Sequence, residues 1–86
     1  MVKINLSVKQ RIDELELPKE VKIINIVVSR SKCKDVLLEL IDADGKAKGK
    51  PLDKYLPQIK QKNIKRLRFM MNDFSTQPIE IKLSWK

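Results

Sequence analysis

Eighty-six residues leave room for one small domain, and a composition of 42% hydrophobic and 35% charged residues with two glycines excludes collagenous or low-complexity chains. Histidine is absent, which removes the commonest acid–base group and zinc ligand; Cys33 is the only cysteine, which excludes an internal disulfide and a cysteine-rich zinc site. The net charge is +8, from 19 basic and 11 acidic side chains.

Val2, Ile4, Leu6 and Val8 alternate with Lys3, Asn5 and Ser7, which predicts a strand over 2–6. Ser7 and Gln10 have the spacing of a capping box. Val8, Ile12 and Leu15 then fall at i, i+4 and i+7, so a short helix is expected to Leu17, stopped by Pro18. Against it, Asp13, Glu14 and Glu16 would sit near the helix C-terminus, where the dipole disfavours carboxylates. Val21 to Ser29 is rich in β-branched residues and reads as a buried strand. Ser29 to Lys32 is a polar turn, and Asp35 to Asp42 is a second strand with Val36, Leu38 and Leu40 on one face. The short connection predicts that these two strands form a hairpin.

Asp42-Ala43-Asp44-Gly45 is a turn signal, since glycine supplies a positive φ. Lys46 to Lys50 holds no large apolar residue and is expected to be exposed, as a loop or a short edge strand. Pro51 can open a helix, and Leu52, Tyr55, Leu56 and Ile59 have helical spacing; Pro57 implies that this helix kinks or ends early. Ile64 to Met71 reads as a strand, with Leu67, Phe69 and Met71 on one face and Arg66 and Arg68 on the other. Ile79, Ile81, Leu83 and Trp85 alternate with Glu80, Lys82 and Ser84, a half-buried strand expected to pair with the preceding one as a second hairpin. The expected fold is α+β: a single domain over 1–86, with a mainly antiparallel sheet of four to five strands and one or two short helices. An open edge of that sheet would allow a homodimer or accept a partner's strand.

Few residues suggest chemistry. Cys33 reads as a reduced thiol beside a turn; the sharper alternative is a nucleophile activated by Lys32 and Lys34. Leu40 to Gly45 spells Leu-Ile-Asp-Ala-Asp-Gly and resembles the end of the motif of the LAGLIDADG homing endonucleases. That resemblance implies Asp44 as a metal ligand, but Leu37, Leu38 and Glu39 depart from the small-residue pattern before it. The string is therefore read as a strand entering a turn. Asp42 and Asp44 make a poor hard-cation site on their own. No Ser-His-Asp or Cys-His arrangement is possible, and Gly45 and Gly49 do not form a phosphate loop. The expectation is a non-enzyme with no metal and no cofactor.

No apolar run approaches the ~20 residues of a membrane span. The N-terminal residues lack the apolar block of a signal peptide, so a cytoplasmic location, or a host cell's cytoplasm, is expected.

The charge is unevenly distributed. Residues 1–45 hold eight basic and eight acidic side chains, and residues 69–86 hold two of each. Residues 46–68 hold nine basic residues against Asp53 alone. Lys46, Lys48, Lys50, Lys60, Lys62, Lys65, Arg66 and Arg68 are the expected contacts of a small binding module for nucleic acid, DNA or RNA, or a nucleoprotein, without base specificity. The alternative is a protein-interaction factor, an inhibitor or accessory subunit, that docks an acidic surface of a larger protein.

Overall fold

The computed structural model describes residues 2–18, 21–60 and 63–86. Its strands are β1 (Val2–Leu6), β2 (Ile12–Glu16), β3 (Ile24–Val27), β4 (Val36–Asp42), β5 (Ala47–Pro51), β6 (Gln58–Ile59), β7 (Ile64–Met71) and β8 (Ile79–Trp85). Two 3-10 turns, Arg30–Asp35 and Leu52–Lys54, are the only helical pieces among the described residues. Sheet A has the order β1-β8-β3-β6 and sheet B the order β2-β7-β4-β5. Every pairing is antiparallel. The fold is all-β, which overturns the expected α+β class, its single sheet and its helices.

The two expected helices fail for separate reasons. Ser7 and Gln10 do meet, but as a tight turn: Ser7 N–H donates to Gln10 O (2.9 Å) and Gln10 N–H to Ser7 O (3.1 Å). That turn carries the chain from sheet A to sheet B. Val8 and Ile12 are 53% and 56% exposed, so of the helical stripe only Leu15 packs against the core. As a strand, the same segment sets Glu14 and Glu16 opposite Arg68 and Arg66, a match that a local helix cannot make. In the second case the apolar residues do reach the core. Leu52 and Ile59 are buried, and Tyr55 and Leu56 pack partly against the cluster. Pro57 breaks the helix between them, and its carbonyl instead accepts from Ile26 N–H (2.9 Å).

Both expected hairpins are also corrected. β3 lies in sheet A and β4 in sheet B, joined by the Arg30–Asp35 turn; β7 lies in sheet B and β8 in sheet A. Among the described residues the one hairpin between consecutive strands is β4–β5. Its loop is Ala43-Asp44-Gly45, with Gly45 at φ +83°.

Each sheet turns one face inward. Ile4, Leu6, Ile24, Ile26, Ile79, Ile81 and Leu83 from sheet A meet Val36, Leu38, Leu40, Leu67, Phe69 and Met71 from sheet B in one cluster. This is the face-to-face packing of two sheets. Each side chain so buried contributes roughly 1.5–3 kcal/mol. Leu52, fully buried in its 3-10 turn, joins the same cluster between β5 and β6.

Connectivity defines one end of the sandwich. β2, β4, β6 and β8 finish there, and β3, β5 and β7 begin there: Asp42 faces Ile64, Asp42 N–H donates to Lys46 O, and Lys86 exchanges backbone bonds with Ile23.

Candidate functional site

Arg66 and Arg68 project from the outer face of sheet B into a ladder of carboxylates. Arg68 Nε donates to Glu14 Oε1 (2.7 Å), and its Nη1 lies 3.4 Å from Glu39 Oε2. Arg66 reaches Glu16 Oε1 (3.0 Å) and Glu14 Oε2 (3.5 Å). The strand register sets these partners: Glu14, Arg68 and Glu39 stand side by side on β2, β7 and β4. The Glu14 hydrogen bond, then the Glu14 charge, hold the Arg68 guanidinium above its ordinary pKa; Glu39 adds to this and desolvation opposes it. Three carboxylates thus surround the two arginines, and their charge is largely answered inside the molecule. Glu14 and Glu16 lie at least 50 residues before these arginines and Glu39 lies 29 before Arg68, so a window count along the chain misses the match.

The lysines behave differently. Lys46, Lys48, Lys50, Lys60 and Lys65 are exposed, and none forms an ion pair among the described residues. Lys62 lies outside the described residues. Lys46 opens β5 at the end of the sandwich just defined, and Lys65 stands in β7 one residue beyond Ile64, the partner of Asp42. Lys60 follows Ile59, which pairs with Ile24. That pairing brings in two lysines from outside the basic segment. Lys22 N–H donates to Lys86 O (2.8 Å), and both residues flank Ile23 and Ile24 at the same end. Lys22, Lys46, Lys60, Lys65 and Lys86 therefore gather at one end of the two sheets. Lys48 and Lys50 lead away from it along β5.

Carboxylates at that end are few among the described residues. Glu16 is bonded to Arg66. Asp42 Oδ1 accepts from Asp44 N–H and Lys46 N–H (both 2.9 Å), so its carboxylate fastens the turn. Asp44 is exposed. Lys22 and Lys86 each sit in a stretch whose own charges cancel, and only the β3–β8 pairing reveals them. The one sequence signal for it is the β-branched run from Val21, which leads from Lys22 into β3.

Cys33 is 1% exposed, and its thiol donates to Ser29 O (3.3 Å). Lys32 Nζ donates to Pro78 O (3.0 Å), which directs that ammonium to a backbone carbonyl. A cleft of about 450 Å³ opens between β3 and the two 3-10 turns, with Ile26, Val28 and Leu56 as walls and Lys34 and Asp53 as its charged side chains. No helix among the described residues is long and apolar enough to cross a membrane. Comparison with known protein families, curated proteins and solved structures finds no match to this chain.

Proposed function

We propose that the chain is a non-enzymatic module that holds nucleic acid by its phosphate backbone, without reading bases, through Lys22, Lys46, Lys60, Lys65 and Lys86. The observation that carries the reading is the gathering of these exposed lysines, from five separate segments, at one end of the sandwich. Flexible ammonium groups suit phosphate neutralisation and carry no base code. Arg66 and Arg68, already tied to carboxylates, are not assigned a contact. The other reading, an accessory factor docking an acidic protein surface, draws on the same lysines.

Fluorescence anisotropy with labelled duplex and single-stranded oligonucleotides across a salt series tests the proposal. If all five lysines engage, the log–log salt slope reaches about −4.5 on duplex and about −3.5 on single strands. Replacing Lys22, Lys60 and Lys86 by glutamine should flatten the duplex slope by about 2.7. Replacing Arg66 and Arg68 by glutamine should leave it unchanged. An absence of binding at low salt, or a slope indifferent to the three lysines, defeats the proposal.

A further inference from the structure

We infer that β5 is a docking edge for an extended acidic segment of another protein, which adds to sheet B as a fifth strand. The inference is independent of the phosphate reading and rests on a different surface.

Asp42 N–H donates to Lys46 O, so Asp42 and Lys46 form a hydrogen-bonded pair. In an antiparallel ladder such pairs alternate, so Leu40–Lys48 and Leu38–Lys50 belong to the same class. Ala47 and Gly49 then aim N–H and C=O away from β4, on the outer side of the last strand in the sheet. Pro51 offers only its carbonyl there. Every residue of β5 is exposed.

The opposite edge of sheet B is not equivalent. Leu17 N–H donates to Lys65 O and Met71 N–H to Arg11 O, so the odd-numbered residues of β2 face β7 and Glu14 faces outward. The Glu14 N–H is taken by Asp13 Oδ1 (2.9 Å). The middle outward amide of that edge is capped by its own side chain, while among the described residues no hydrogen bond outside the β4 ladder occupies Ala47 or Gly49.

Side chains define the visitor. Lys48 and Lys50 stand opposite Leu40 and Leu38, on the inner-facing side of the sheet, yet they are exposed. Alternate residues are about 7 Å apart along a strand, so an incoming strand meets ammonium groups at every second position and needs carboxylates there. Its intervening side chains fall on the outer face beside Ala47, Gly49 and Pro51. Leu37, 38% exposed, and half-buried Ile41 lie next in those rows, so apolar residues fit. The fitting segment alternates acidic and apolar residues. The same lysines oppose a second copy of β5, because antiparallel self-pairing with the faces matched sets lysine against lysine.

The test uses the intact chain and two short capped peptides of equal composition, one alternating glutamate and valine, the other with its glutamates contiguous. At low salt the alternating peptide should bind at least about tenfold more tightly. Hydrogen exchange at the Ala47 and Gly49 amides should slow in the complex. Ala47→Pro, which removes one outward N–H that β4 does not use, should weaken binding by about tenfold or more. Equal binding of both peptides with the two amides unprotected overturns strand addition. So does an absence of peptide binding, even where oligonucleotides bind and the phosphate reading survives. Peptide binding without oligonucleotide binding supports the docking edge and defeats the phosphate reading alone. Concentration-dependent self-association that protects the same amides makes the occupant a second copy and overturns the inference.

Discussion

Leu52 is the residue on which the return from β5 to β6 depends, and Leu52→Ala measures that dependence. Its side chain is 0% exposed and is the only buried one in the Leu52–Lys54 turn. Truncation to alanine removes roughly three methylene equivalents, a transfer loss of about 2.4 kcal/mol. The flanking strands are fixed by their ladders and cannot collapse fully into the space, so a cavity term adds to this. The expected total is about 3–4 kcal/mol, within the range for buried Leu→Ala changes. For a domain of this size the melting temperature should fall by roughly 12–30 °C. Urea unfolding followed by Trp85 fluorescence and far-ultraviolet circular dichroism measures the loss; the midpoint should move with little change in slope. Leu37→Ala, on the outer face, is the control and should cost much less. A Leu52→Ala loss below about 1 kcal/mol refutes the placement of this side chain in the shared core.

Three further outcomes follow from local geometry. Gly45→Ala should destabilise by about 1 kcal/mol although no atom lies within 4 Å of the added Cβ, because the φ of +83° is the cause, and Gly45→Asn should cost less in the same urea assay. A double-mutant cycle on Arg66 and Glu16 should give a coupling of about 1 kcal/mol or less that shrinks with salt, since both side chains are substantially exposed. Burial raises the Tyr55 phenol above its ordinary value of 10.0. The folded state therefore binds that proton more tightly than the unfolded chain, and the associated stability is present below the unfolded value and lost as pH rises through the folded one. Tyr55→Phe should show a smaller loss of melting temperature between about pH 9 and pH 11 than the parent chain.

Strong alternation made β1, β4, β7 and β8 legible in the sequence, because one buried face imposes a period of two. The same alternation sets Leu67, Phe69 and Met71 on the core side and Arg66 and Arg68 on the other, as the register has them. Pairing was not legible. Short connections favour sheet neighbours, yet the Arg30–Asp35 turn and the loop after Met71 both cross between sheets. Helical spacing at Val8, Ile12 and Leu15 is a local coincidence: the extended segment packs Leu15 and Leu17 on the core and also sets Glu14 and Glu16 opposite Arg68 and Arg66. Of the candidate site, the lysines were visible as a run, whereas the role of Arg66 and Arg68 was hidden in glutamates some fifty residues earlier. Lys22 and Lys86 show the converse: they belong to the surface because of a backbone ladder, and no composition window contains them together with the rest.

The strand ends that carry the lysines also shape how this chain could diverge. Neither the Ala43–Gly45 loop nor the described residues of the 60–63 connection, Lys60 and Asn63, include a buried side chain. Insertions or recharging at that tip would leave both ladders and the interior untouched. Two sheets held by apolar packing elsewhere thus serve as a chassis whose tip can be retuned to a new partner without renegotiating the fold.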